Sequence, residues 1–150
     1  MNPAPNATVI PDVRRSPSPY LRLVVIDGLA YLNGQLPYSG QTIPFSGAVG
    51  AEVSLADAQE CARLCALNAL ASILDEVADL SRIRQLVRLT GYVAAAPGFT
   101  EHPAVMDAAS AIFVEHLGDR GRHARTALGV ASLPKNAPVE IDVIFALHEH

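Results

Sequence analysis

The chain has 150 residues, half of them hydrophobic, and a formal net charge of −4, which allows one compact domain with a single core and is too little for two ordinary ones. The acidic balance speaks against a dedicated nucleic-acid binder, whose phosphate contacts need a broad basic surface. No apolar leader and no run of about 18 apolar residues is present, so neither a signal peptide nor a membrane span is expected, and with two cysteines the expected setting is a reducing cytoplasm.

Residues 1–19 carry Pro3, Pro5, Pro11, Pro17 and Pro19 among Asn and Ser, a composition that resists helix and central strand. They are expected to form an extended arm ahead of one domain over 20–150. Apolar segments at Leu21 to Val25 and Leu29 to Leu36, separated by Ile26-Asp27-Gly28, predict a β-hairpin. A Pro/Gly-rich loop leads to Ser54, whose hydroxyl can cap a helix starting at Leu55. Leu64, Leu67, Leu70, Ala71, Leu74 and Val77 then recur every three or four residues, so the helix is long and has one apolar face. Ile83 to Ala95 alternates in part and reads as a strand, with Ile83, Val87, Leu89 and Val93 on one side and Arg84, Arg88, Thr90 and Tyr92 on the other. Ala96-Pro97-Gly98 ends it. Pro103 opens a second helix that runs to Leu117 and stops at Gly118. Thr126 to Ser132 and Val139 to Leu147 are strand-like. The order is ββαβαββ, and two helices covering one face of a mixed sheet give a two-layer α+β domain.

Arg125 shares a strand face with Ala127, Gly129 and Ala131. A guanidinium beside missing bulk can hold both oxygens of a carboxylate by paired hydrogen bonds, although an arginine at a strand end is also an ordinary surface residue. Glu140 and Asp142 share the polar face of the last strand. Glu140 can position water or move a proton in a pocket; alternatively the two acids solvate an edge strand. Cys61 and Cys65 stack one helical turn apart and read as buried small residues rather than metal ligands. His148-Glu149-His150 reads as a frayed tail, and His123 as a loop residue that could edge a cleft. No metal is expected.

The segment Ala124-Arg125-Thr126-Ala127-Leu128-Gly129-Val130-Ala131-Ser132-Leu133-Pro134, followed by Val139-Glu140-Ile141, resembles the C-terminal signature of the YjgF/Rid (reactive intermediate deaminase) family, also labelled endoribonuclease L-PSP. Pro19-Tyr20, Asn33-Gly34-Gln35-Leu36-Pro37 and the helix with Cys65-Ala66-Leu67-Asn68-Ala69-Leu70 agree in order and approximate spacing. The resemblance implies a chorismate-mutase-like fold, a homotrimer whose sheets form a central barrel, and a cofactor-free cleft between subunits that takes a small carboxylate metabolite. It further implies hydrolysis of enamine or imine intermediates to 2-oxo acids and ammonia, with Arg125 holding the carboxylate, Glu140 the water, and Tyr20, Asn33 and Ala127 lining the cleft. Asn33 stands where a serine is usual, Ala127 where the best-known deaminases have cysteine, and Met106 or Asp107 where an asparagine is usual. The runner-up reading is therefore a trimeric carboxylate-binding module without catalysis. A third is RNA cleavage or translation inhibition through Arg120 and Arg122, against which stand the acidic total and the lack of nearby aromatic stacking residues.

Overall fold

The computed structural model describes residues 7–149. The first residues of the expected arm, 1–6, and the terminal His150 lie outside them. Two strands, β1 (Leu23–Ile26) and β2 (Leu29–Leu32), precede helix α1 (Leu55–Val77), strand β3 (Ile83–Ala94), helix α2 (His102–Leu117) and strands β4 (Ala124–Val130) and β5 (Val139–Leu147). This is the ββαβαββ order read from the sequence. The five strands form one mixed sheet in the order β1-β2-β5-β3-β4, in which only β3 and β4 run parallel. Both helices pack on the same face, and one buried cluster joins them to the sheet, with Leu70 and Ile73 of α1, Phe113 of α2 and Phe145 of β5 fully enclosed. Among the described residues no helix is long and apolar enough to cross a membrane.

Local chemistry sets the element boundaries. Asp27 and Gly28 both take positive φ (51° and 74°), the geometry of the tight turns that Asp-Gly favours, and the hairpin closes on those two residues. The strands are shorter than the apolar runs: beyond Leu32 the chain leaves β1, and Gln35 bridges to Ile141 of β5 instead. Ser54 caps α1 by accepting a 3.1 Å hydrogen bond from the Asp57 amide. At the other end Ala78 adopts the left-handed conformation, its amide bonded to the Leu74 carbonyl.

Two departures from the sequence reading matter for the site. Strand β3 does not alternate strictly: register shifts between Ile83 and Gln85 and between Leu86 and Arg88 reset its parity, so Leu86 is buried and Val87 exposed. Strand β5 lies between β2 and β3, so Glu140 and Asp142 do not solvate an edge strand; β1 and β4 are the edges. Residues 7–18 form no helix or strand, yet they are tied down. His116 of α2 sits within hydrogen-bond distance of the Thr8 carbonyl (2.6 Å), Arg15 pairs with Asp75 (3.1 Å), and Arg14 lies 3.5 Å over the Tyr38 ring.

Candidate functional site

Arg125 enters from the start of edge strand β4. Its register partner on β3 is Leu89, which in turn pairs with Val143 of β5, and both are buried beneath the helices. Cross-strand partners share a face, so Arg125 points toward α2. There its Nη1 donates to Asp107 Oδ1 (2.9 Å) and Ser110 Oγ (3.1 Å), and its Nη2 to the Pro103 carbonyl (3.4 Å). The arginine side chain is 21% exposed, whereas Asp107 is 71% exposed. Ser110 lies 3.0 Å from His123 Nε2, and His123 Nδ1 lies 2.7 Å from the Gly121 carbonyl. If Nδ1 donates to that carbonyl, Nε2 accepts the Ser110 proton and the serine oxygen remains free to receive Arg125. Burial, and secondarily the Arg125 charge, lower the His123 pKa, which favours that neutral form. His123 is thus part of the scaffold behind Arg125.

Ala127 follows Arg125 on the same face and pairs with Gly91. Gly91 has no side chain because Met106 of α2 presses on it; a Cβ there would collide with the methionine sulfur. Of the two residues that fall where the family pattern has asparagine, Met106 is therefore core, and the next, Asp107, reaches Arg125.

Glu140 belongs to the other face. Its partner on β3 is Tyr92, which pairs with Leu128 on β4, and Tyr92 donates to Asp142 at 2.7 Å. Arg125 and Glu140 are thus separated by three residues along β3 and two strand spacings across it, roughly 14 Å, and lie on opposite faces of the sheet. Burial, then the neighbouring Asp142 charge, raise the Glu140 pKa. The carboxylate leans against Gly34, where any Cβ would strike it.

Gly34 adjoins Asn33, and with Tyr20 both line a cavity of about 400 Å³ between the residues preceding β1, the β2 end and α1. The Asn33 amide oxygen accepts from Gln35 Nε2 at 2.8 Å, so the asparagine has its NH2 group to offer. Tyr20 is 61% exposed. One chain therefore assembles two separate groups: Arg125 and Ala127 beside α2, and Tyr20, Asn33 and Glu140 around Gly34. The sequence points to His123 at a cleft edge and to Met106 or Asp107 at one family position, but not to Ser110, which joins them through the packing of α2 and a short 3-10 turn at Gly118–Gly121.

The remaining candidates are committed elsewhere. Arg120 donates to the Leu80 and Ile83 carbonyls, and Arg122 meets Asp119 in an exposed surface pair, so Arg120 is turned into the fold rather than out toward a ligand. Cys61 and Cys65 are free thiols and fully buried. Burial pushes the first up to about 12 and the second well above the usual range, which disfavours thiolate chemistry.

Three comparisons bear on this arrangement. The family model described as "YjgF/chorismate_mutase-like, putative endoribonuclease" matches residues 6–147. Protein TCP17 of Trypanosoma cruzi is 36% identical over 119 residues, which cover 79% of this chain and 74% of that protein. A crystal structure of a protein of unknown function from Agrobacterium tumefaciens superposes with a TM-score of 0.86 at 43% identity, covering 87% of this chain and 83% of its own. A "putative endoribonuclease" of Shewanella oneidensis superposes at 0.88 with 28% identity, covering 93% and 92%.

Proposed function

The chain belongs to the YjgF/chorismate-mutase-like family, and from that membership we propose that it hydrolyses reactive enamine or imine intermediates of amino acids to 2-oxo acids and ammonia, in clefts between the subunits of a homotrimer. The observation that carries this reading is the seating of Arg125. Its guanidinium is held by a carboxylate, a hydroxyl and a backbone carbonyl through both Nη1 protons and one on Nη2, next to the small Ala127, and so is fixed with its Nε–H and second Nη2–H left as a side-on fork for a ligand carboxylate.

Arg125 and Glu140 occupy opposite faces of one sheet, so a cleft that uses both takes them from different subunits. The helix-free face supports such packing: Val24 and Tyr31, 40% and 44% exposed, are paired with each other, and Tyr31 with Ile144. In the proposed reaction Arg125 anchors the substrate carboxylate and Glu140 of the adjoining subunit holds a water. The water oxygen bonds to the imine carbon as the C=N π bond breaks, and Glu140 passes one water proton to the nitrogen; the carboxylate then carries the remaining hydroxyl proton to the nitrogen as the C–N bond breaks, the carbonyl forms and ammonia leaves. Burial, then Asp142, raises the Glu140 pKa, which makes the carboxylate a stronger base for that exchange. The proposed site requires no cofactor.

A binding module without turnover is the second reading, favoured by Asp107 on the arginine and by the Asn33 and Ala127 departures. A coupled assay of 2-oxo acid release, with imines generated in place by an amino-acid oxidase, separates the two. Acceleration by wild type that is lost in Arg125→Ala supports hydrolysis, and Glu140→Gln should then slow release while ligand affinity survives. A folded trimer that binds 2-oxo acids but accelerates no imine selects the binding module.

A further inference from the structure

The cavity beside Tyr20 and Asn33 carries more positive charge than a pocket for a simple monocarboxylate requires. Arg14, Arg22 and Lys135 line it, and among the described residues no carboxylate does, although the whole chain has a net charge of −4. Arg22 is the inner member. Its Nη2 is bound by Asp75, while its Nε is buried without a hydrogen-bond partner. Arg15 shares Asp75, so one carboxylate faces two guanidinium groups and does not neutralise both. Lys135 reaches the cavity from a turn in which it and Asn136 both take left-handed backbone, φ 60° and 55°, a conformation unfavourable for residues with a Cβ. The rest of the lining adds amides from Asn33, Gln35 and Asn68.

We propose that this cavity is a second anion subsite and that the preferred ligands are 2-imino or 2-oxo acids whose side chain ends in another carboxylate. This rests on the reading of Arg125 as anchor for the first carboxylate and adds the identity of the far end. The free donors match one extra negative charge. Arg22 has Asp75 on its Nη2 and an unpaired Nε–H, Lys135 adds an ammonium, and Arg14 is stacked on Tyr38; with Asp75 already offsetting part of this charge, the set suits one carboxylate better than a doubly charged phosphate. An apolar side chain would instead leave the Arg22 Nε buried and unpaired, which is costly.

The test is calorimetric titration of the full chain with 2-oxoglutarate and 2-oxobutyrate, for wild type, Arg22→Gln, Lys135→Ala and Arg125→Ala, each checked for folding by circular dichroism. Wild type should bind the dicarboxylate roughly tenfold to a hundredfold more tightly. In Arg22→Gln and Lys135→Ala the ratio of the two Kd values should fall toward one. Equal affinities in wild type, both lost in Arg125→Ala, would overturn the second subsite and keep the anchor. Tighter dicarboxylate binding that is indifferent to Arg125→Ala but lost in Arg22→Gln would keep the subsite and overturn the anchor. Binding of neither acid overturns both.

Discussion

Glu140 ties folding stability to the proposed chemistry through one carboxyl. Its carboxyl is held above the ordinary value of 4.5, first by burial and then by Asp142. A folded carboxyl with a raised pKa keeps its proton more tightly than the unfolded chain does. Ionising it therefore costs stability: the cost is absent below the unfolded value and complete above the folded one, so stability falls as pH rises between them. Glu140→Gln removes that cost. The variant should gain Tm relative to wild type at about pH 8 and gain little at about pH 4, while it hydrolyses imines more slowly; an equal Tm change at both pH values would count against a strained carboxylate. The sequence singled out Glu140 and Arg125 because both stand in their motif positions, although Ala127 departs from it. It could not show that Gly34 is vacant for Glu140 or that Asp107 occupies the arginine, since both contacts join residues far apart in the chain.

At the level of elements, α1 was legible at both ends, from Ser54 and from the apolar repeat that closes at Val77. Ser54→Ala should lower unfolding free energy by about 1 kcal/mol through loss of the Asp57 amide bond, read in urea denaturation. Ala78 takes the left-handed conformation usually given to glycine, φ 61°, so Ala78→Gly should stabilise by up to about 1 kcal/mol; a destabilised variant would mean that the alanine methyl has a packing role outweighing its backbone strain. Strand β3 was legible as a strand but not in its facing. Alternation counts residues, and each register shift moves the count by one, so plain alternation groups Val87 with the apolar side when Leu86 fills the core there. The centrality of β5 was equally hidden. Strand order depends on which hairpin and crossover pair, and the last strand in the chain inserts between β2 and β3.

For the molecule as a whole, one face of the sheet is covered by helices and the other carries Val24, Tyr31 and Ile144 beside Tyr92, Glu140 and Asp142. Tyr31→Glu puts a charge where three such faces are proposed to meet, and light scattering should show the mass falling from trimer to monomer with the far-UV spectrum retained; a wild type that is itself monomeric removes the interfacial cleft. The separation of Arg125 and Glu140 on the two faces makes each proposed cleft a shared inheritance of two chains, and the proposal has a genetic consequence. Arg125→Ala subunits, inactive alone, and Glu140→Gln subunits, slowed alone, should rescue one another when unfolded together and refolded. In a cyclic trimer built at random from equal amounts, about a quarter of the clefts combine a sound arginine with a sound glutamate, and about that fraction of wild-type activity should return. Variants of one site confined to a single chain would not complement at all.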